Sequence, residues 1–302
     1  MMRRIMLAIL AFLSVSPVDA AFISVSPGPG TPVQDAINAA VPGDTILLAQ
    51  GGYPEAVVVD KSLQLRGGGG DIHKGLTFIN PGCNAPTALT IAADDVTVAG
   101  LTMSSGTVSA ISVQNSHRVR LKIVGALAYG AGSGLGCGTE LYGVDVFQST
   151  DVKMSDGPIY GSIFGLPGTM GFGVAGIYLH GLAPRSGINV LRYFSDGNVN
   201  GIVVENVTGP SAVRLHHDYI SAHDTGILLI NSSHVRVEGS YVNDAAAPNP
   251  NVGIHLDATS SHNSIFLNKI SGYDSDVLDD GTNNCWRGNS FVTGSIPSGG
   301  CP

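Results

Sequence analysis

The sequence is poor in charged residues, and the charge that it carries is mostly negative. Only 13% of the 302 residues are charged, and 15 Lys and Arg stand against 23 Asp and Glu, which gives a formal net charge of −8 at pH 7. A nucleic-acid-binding protein needs a strongly basic surface, so this composition argues against that class of partner. Beyond an N-terminal run from Ile5 to Leu13, no segment approaches the ~18 continuous apolar residues of a membrane-spanning helix. We therefore expect no nucleic-acid partner and no stable membrane insertion of the processed chain.

The N-terminus has the features of an export signal. Arg3 and Arg4 precede the apolar run, and Val18-Asp19-Ala20 supplies small residues before a cleavage point. We therefore interpret residues 1–20 as a signal peptide and residues 21–302 as one domain, exported to the periplasm or the extracellular space.

Cysteine is scarce as well, with four residues in the chain. The four are scattered, without the paired short spacing of a structural metal site, and we predict no metal-binding cysteine cluster. In an exported chain four cysteines suggest two disulfides, for which three pairings are possible. A bond between Cys285 and Cys301 would fasten the C-terminal tail, and a bond between Cys83 and Cys137 would join two loop insertions.

Glycine, in contrast, is abundant, and much of it belongs to a repeated phrase. The phrase is Gly, a branched apolar residue, any residue and a second apolar residue, and it begins at Gly143, Gly176, Gly201, Gly226 and Gly253. Successive copies are 33, 25, 25 and 27 residues apart. A period of 20 to 50 residues is typical of a solenoid, in which each unit buries its apolar face against its neighbours.

The residues between the phrases predict the kind of solenoid. Apolar residues alternate in segments of three to five residues, which favours short strands, and they lack the 3.6-residue period of helical repeats. Ahead of the repeats, Thr31 at an N-cap, Pro32 and a capping-box Gln34 predict a short helix that covers the open end of the core. Its apolar stripe ends at Pro42-Gly43.

Both ends of the chain resemble a known superfamily. The segments at 31–45 and 59–67 resemble the beginning of secreted right-handed parallel β-helix proteins of the pectin-lyase-like superfamily. The segments at 263–270 and 279–289 resemble its parallel β-helix repeat branch, which includes the periplasmic factor for copper-site assembly in nitrous oxide reductase. The resemblance implies an all-β fold: a single-stranded right-handed parallel β-helix solenoid with a short N-terminal capping helix. It implies no single activity, because the superfamily contains lyases, hydrolases, esterases, epimerases and non-enzymes.

Stacking the repeats by register places the outward side chains in columns. One column contains Asp145 and Tyr178, and the column two residues further along contains His180 and Glu205. Adjacent coils lie about 4.8 Å apart, so column neighbours can touch. We therefore predict a catalytic cluster of these four residues, with His180 and Glu205 as an acid–base pair, Tyr178 as a proton donor and Asp145 as an orienting group or cation ligand. The alternative is a solvated polar face.

A second set of strands carries a basic row that could bind an anionic polymer. It could equally be a solubilising stripe that prevents aggregation of the solenoid. His255 and Asp257, on the same face as the catalytic candidates, form a smaller polar pair. The predicted substrate-binding residues are Arg120, Lys153, Arg214, His216, Arg236, His255 and Asp257.

Three functions remain open at this point. The chain could be an exported lyase, hydrolase or epimerase that acts on a polysaccharide at the predicted cluster. It could be a non-catalytic envelope protein that binds glycan or a partner, or a periplasmic maturation factor, for which His180, His255 and Asp257 are the residues to test. We predict no resident metal from the motifs, although Ca²⁺ could assist an acidic substrate. Gly-rich segments at 126–140 and 157–173 are expected to wall the binding groove.

Overall fold

The computed structural model describes residues 20–68, 77–104, 106–127, 137, 140–160, 173–210, 212–244, 252–296 and 301. The expected signal peptide lies outside the described residues, apart from Ala20. Among the described residues, no helix is long and apolar enough to cross a membrane.

The predicted N-terminal helix is present, but its cap differs from the expected one. Helix α1 spans Pro32–Ala39 and buries Val33 and Ile37 against the core. Thr31 makes no side-chain capping hydrogen bond. Instead the backbone N–H groups of Val33 and Gln34 donate to the two carboxylate oxygens of Glu55, each at 2.9 Å. A buried carboxylate from the first coil therefore satisfies the helix N-terminus, which the local capping motif did not predict.

The rest of the described chain is built from short strands. The first fourteen are β1 Phe22–Val25, β2 Thr45–Leu48, β3 Gly51–Tyr53, β4 Val57–Val59, β5 Gln64–Gly67, β6 Thr77–Ile79, β7 Thr87–Ile91, β8 Thr97–Ala99, β9 Thr102–Ser104, β10 Ser109–Gln114, β11 Arg120–Lys122, β12 Gly125–Leu127, β13 Tyr142–Phe147 and β14 Lys153–Ser155. The second fourteen are β15 Pro158–Tyr160, β16 Ala175–His180, β17 Ile188–Leu191, β18 Phe194–Glu205, β19 Val213–His216, β20 Tyr219–Ile230, β21 Arg236–Glu238, β22 Tyr241–Asp244, β23 Val252–Leu256, β24 Ser264–Phe266, β25 Lys269–Ser271, β26 Ser275–Asp279, β27 Cys285–Arg287 and β28 Gly294–Ser295.

The strands form three faces of a parallel β-helix. In the described residues an 11-stranded sheet, which we call the Arg face, runs in the order β1-β2-β5-β8-β11-β14-β17-β19-β21-β24-β27. The remaining 17 strands form one sheet that bends around the other two sides. The Gly face contains the Gly-phrase strands β13, β16 and β23 and the second halves of β18 and β20. The third face contains β15, β22 and β25 and the first halves of β18 and β20, because these two 12-residue strands pair on both sides.

Identical register between coils builds the core as stacks of apolar side chains. On the Gly face each inward residue pairs with the one on the next coil, in the order Val144, Ile177, Ile202, Ile227 and Ile254. All five are fully buried. The solenoid predicted from the repeat is thus confirmed, and each inward residue gains its burial from the coils above and below.

The glycine at the first position of the Gly phrase has a steric cause. A Cβ atom on Gly226 would lie 2.3 Å from the Val242 side chain and 2.5 Å from the carbonyl oxygen of Gly253. Glycine is needed here because the neighbouring coil approaches too closely for a side chain.

One corner between the Arg face and the third face carries a stack of buried or half-buried polar residues, which we call the corner ladder. Its members are Asp218, Ser240, Asn268 and Asn289, and each of the last three accepts a hydrogen bond from the backbone N–H of the member one coil earlier. These small or polar corner residues are therefore structural.

Both suggested disulfides are present. Cys83 bonds to Cys137 and Cys285 bonds to Cys301, with Cα atoms 5.4 and 4.7 Å apart. The second bond joins the C-terminal tail to β27, and the first joins segments that are 54 residues apart in the chain.

Candidate functional site

The predicted columns on the Gly face are confirmed by the strand register. Asp145 in β13 pairs with Tyr178 in β16, and His180 at the end of β16 pairs with Glu205 at the end of β18. Consecutive strand residues alternate between core and solvent, so all four side chains point away from the buried stacks. Three adjacent coils therefore bring together the four candidates, of which the first, Asp145, and the last, Glu205, are 60 residues apart in the chain.

The hydrogen bonds within this cluster run diagonally between columns. His180 Nε2 lies 2.9 Å from Asp145 Oδ1, and the Tyr178 hydroxyl donates to Glu205 Oε2. The sequence predicted column neighbours as partners, with His180 beside Glu205, whereas the structure pairs His180 with Asp145. Diagonal neighbours on a sheet are only about 7–8 Å apart, which long and aromatic side chains can bridge. The result is two linked acid–base pairs, and we call them the Gly-face cluster.

Aromatic packing fixes the orientation of these groups. The Tyr178 ring stacks on the His180 ring at 4.2 Å between centroids and on the Tyr142 ring at 4.8 Å. Phe147 contacts the other side of His180 at 4.8 Å. The side chains of His180 and Asp145 remain 26% and 14% exposed, so the pair is shielded but reachable from solvent. A rotationally fixed imidazole beside a carboxylate is the arrangement that general-base catalysis requires.

The environment also controls the proton on Tyr178. Burial raises the pKa of the Tyr178 hydroxyl well above its usual value, and the hydrogen bond to Glu205 and the negative charge of that carboxylate raise it further. Tyr178 therefore keeps its proton at neutral pH and donates it in the hydrogen bond to Glu205, and its role as a catalytic proton donor stays a prediction.

The sequence prediction missed several supporting residues. Ser112 donates to Asp145 Oδ2 at 3.3 Å, and Gln114 donates to Ser112 at 2.8 Å. On the other side, Asn206 donates to Glu205 Oε1 at 3.2 Å. Ser112 and Gln114 occupy the same two columns one coil earlier, so their register could have identified them.

His255 and Asp257 do not form the expected pair. His255 Nε2 instead lies 3.3 Å from Asp280 Oδ2 on the following coil. Asp257 accepts hydrogen bonds from Thr259 and Ser260 and holds a turn. Burial acts to raise the pKa of Asp257, but these hydrogen bonds outweigh it and lower the pKa below its ordinary value. Asp257 thus has a structural role in the turn.

The basic row on the Arg face has the predicted register, but its charges are largely paired. Arg120 and Lys153 align and both contact Asp151, at 2.9 and 3.8 Å. Arg214 and Arg236 also align, and they share Glu238 at 2.9 Å each. The face therefore presents alternating ion pairs rather than a continuous positive stripe.

His216 lies at the end of the same row and is 9% exposed. Its Nε2 lies 2.7 Å from the side-chain oxygen of Asn189. Burial lowers the pKa of His216, and the neighbouring Arg214 lowers it further, so the imidazole is neutral at pH 7.

Within the described ranges, no group of three or more His, Cys, Asp or Glu side chains converges in a way that could hold a metal ion. The Gly-rich segments expected to wall the groove fall mostly at 128–136, 138–139 and 161–172, outside the described residues. Their role stays a prediction.

The comparisons with known proteins agree on the fold. The family model described as "Periplasmic copper-binding protein (NosD)" matches residues 176–299. No curated protein matches the sequence. Among solved structures, a rhamnogalacturonan lyase is similar, with a TM-score of 0.55 and 10% identity over 86% of this chain and 74% of that one. The A-module of mannuronan C-5 epimerase AlgE4 from Azotobacter vinelandii gives a TM-score of 0.48 and 13% identity over 88% of this chain and 83% of that one.

At 10% identity the similarity to the rhamnogalacturonan lyase establishes architecture alone, and the family match covers the C-terminal coils. Together with the parallel pairing of the strands, they show that the chain is a right-handed parallel β-helix with the pectin-lyase-like fold.

Proposed function

We propose that this chain, as an exported domain spanning residues 21–302, binds an acidic polysaccharide along the Gly face and cleaves it by β-elimination. The observation that carries the proposal is the 2.9 Å hydrogen bond between His180 and Asp145. The imidazole ring of His180 is at the same time stacked against the ring of a protonated Tyr178. The rhamnogalacturonan lyase among the similar structures supports this class of substrate by analogy only.

The geometry assigns a role to each residue of the cluster. A carboxylate accepts from a ring N–H, so Asp145 places a proton of His180 on Nε2 and leaves Nδ1 as the base. His180 takes the proton next to the sugar carboxyl group, the bond to the leaving sugar oxygen breaks, and a carbon–carbon double bond forms. Tyr178 gives its proton to the departing oxygen. The negative charge of Glu205 disfavours the resulting tyrosinate and so promotes its reprotonation from solvent, while His180 releases the abstracted proton to solvent.

Charge sets one condition on this chemistry. Asp145 and Glu205 are both acidic, and they would repel the carboxylate of a uronate sugar. A cation carried by the substrate would offset that repulsion, so activity is to be measured with and without Ca²⁺.

The test is a polysaccharide screen of the processed protein, in which ultraviolet absorbance of an unsaturated product and new reducing ends are measured together. We expect both signals to rise on a uronate polymer and to fall by about 10²-fold or more in His180→Ala and Tyr178→Phe. Tyr219→Phe is the matched control, because it removes a hydroxyl from the third face, away from the cluster.

The outcomes separate the alternatives. Reducing ends without new absorbance would mean hydrolysis and would refute the elimination step. Binding that is unchanged in His180→Ala, with no product from any polymer, would favour a non-catalytic glycan-binding protein.

The family match favours copper binding as a second candidate function. The residues that the sequence suggested do not fit one ion, because His180 and His255 lie three coils apart, roughly 14 Å along the axis. Each of these histidines is also bonded to a different carboxylate, Asp145 or Asp280. Titration with copper ions tests this candidate directly: stoichiometric binding that survives in His180→Ala and His255→Ala would place any copper site elsewhere.

Export is part of the proposal and has its own test. Two disulfides are typical of proteins that fold in an oxidising compartment. N-terminal mass spectrometry of the protein made with its full leader should find a chain that begins at Ala21, and an intact Met1 on exported protein would contradict the assignment.

A further inference from the structure

A second concave site lies on the Arg face, away from the Gly-face cluster. It is a cavity of about 460 Å³ that extends over four coils. Its position follows from one column of corner residues, two positions before the aligned strand residues: Arg118, Asp151, Gly187, Ala212, His234 and His262. Gly187 is the smallest of the six and lines the cavity, which lies where it replaces a larger side chain.

The walls of the cavity combine apolar and aromatic surfaces. Ile188 and Val213 lie almost fully buried beneath it, and the exposed Pro210 adds apolar surface, so these three residues form an apolar floor. His234 and His262 line one end, with their rings stacked at 5.6 Å and only 8° from parallel. An apolar floor beside flat rings suits the face of a ring-shaped ligand.

The charged groups of the cavity favour an anion. Arg214 and Arg236 both line it, and their side chains are 46% and 48% exposed. Both share the single carboxylate of Glu238, which leaves one net positive charge. Arg236 uses two nitrogen atoms on Glu238, whereas Arg214 uses only Nη2. The hydrogen bonds from Arg236 and Arg214 hold the pKa of Glu238 below its ordinary value despite partial burial, so it stays ionised and keeps both guanidinium groups in place.

We propose that this cavity binds the carboxylate-bearing ring of an acidic saccharide, with the carboxylate on Arg214 and the ring against the apolar floor and the stacked imidazoles. A guanidinium fork matches a carboxylate in geometry, and a protein with a net charge of −8 gains little from nonspecific attraction of anions. The site is an accessory binding site, and its existence does not depend on catalysis at the Gly face.

The experiment titrates trigalacturonate into the protein carrying His180→Ala, which prevents turnover. Calorimetry measures affinity, and two-dimensional NMR follows the imidazole signals of His234 and His262, assigned with His234→Ala and His262→Ala. We expect both signals to shift on binding, and we expect Arg214→Gln to weaken affinity at the shifted site by about tenfold or more. Arg118→Gln is the matched control, since Arg118 is equally exposed, ion-paired to Asp95 and in the same corner column.

Two further ligands test the chemistry of recognition. The methyl ester of the same trimer keeps the rings and removes the charge, and inorganic sulfate keeps a charge and removes the rings. Both are expected to bind at least about tenfold more weakly than trigalacturonate. The proposal would be overturned if either ligand bound as tightly as trigalacturonate. It would also be overturned if Arg118→Gln and Arg214→Gln weakened the affinity for trigalacturonate equally.

The result also separates this inference from the proposed function. A titration that leaves the His234 and His262 signals unmoved overturns the cavity site, even if polysaccharide is cleaved at the Gly-face cluster. Shifts of these two signals on an inactive protein would support the cavity site while the proposed activity fails.

Discussion

Asp218 occupies a position in the corner ladder that asparagine fills in later coils, and we expect Asp218→Asn to stabilise the protein at neutral pH. Asp218 is 1% exposed. Its Oδ1 accepts the backbone N–H of Tyr193 at 2.8 Å, but its Oδ2 has no hydrogen-bond partner in the described structure. Burial raises the pKa of this carboxyl group well above its ordinary value, against the opposing effect of the backbone amides of Tyr193 and His216.

The ladder shows what the new amide would do. Asn268 Nδ2 donates to the carbonyl of Val237 at 3.1 Å, and Asn289 Nδ2 donates to the carbonyl of Ile265 at 2.7 Å. By the same register, Nδ2 of an asparagine at 218 would face the carbonyl of Val190. The substitution satisfies a buried atom and removes an ionisable group, which should stabilise the fold by about 1–3 kcal/mol at pH 7.5.

The gain should depend on pH, and the sign follows from linkage. A carboxyl group with a raised pKa in the folded state holds its proton there more tightly than in the unfolded state. The contribution of Asp218 to stability is therefore greatest below the unfolded-state pKa of about 3.9, and up to about 1.4 kcal/mol of it is lost per pH unit as the pH rises toward the folded-state pKa. Asp218→Asn abolishes this loss, so the difference between the two proteins should widen from pH 4.5 to pH 7.5.

Urea denaturation followed by circular dichroism at several pH values measures the effect. The reciprocal variant Asn268→Asp is the control, because it introduces a carboxylate at an equivalent ladder position. It should destabilise the protein by about 1–3 kcal/mol, increasingly so at higher pH. The reasoning is refuted if Asp218→Asn is no more stable than the native protein at pH 7.5, or if the difference does not change with pH.

Variants at three other features test the architecture: the cap of α1, the Gly phrase and the first disulfide. Glu55→Ala should cost about 1–3 kcal/mol in urea denaturation, because it leaves two amides of α1 without their acceptor, and Glu55→Gln should recover part of that loss. Gly226→Ala should cost about 1–3 kcal/mol, since its Cβ would collide with Val242, whereas Gly52→Ala, which has open space, should cost less than about 1 kcal/mol. Replacing both Cys83 and Cys137 by Ser should lower the thermal midpoint through a loss of about 3–4 kcal/mol, and an unchanged midpoint would mean that the bond does not constrain the unfolded chain.

The sequence by itself determined the solenoid, its register and the outward columns. A repeated Gly phrase with period-two alternation has only one way to bury its apolar residues, which is to stack coil on coil. Once the coils are stacked, the neighbours of Asp145 and His180 along the axis follow from counting residues, and the structure confirms them.

Only the tertiary structure decided which side chains bond to each other. The pairing of His180 with Asp145 depends on ring stacking against Tyr178, and the cap of α1 depends on a buried Glu55 from another element. The cavity beside Arg214 is lined by residues of four neighbouring coils. The repeat fixes the axial spacing of backbone positions, whereas diagonal contacts depend on rotamers and packing between faces, which no single repeat encodes.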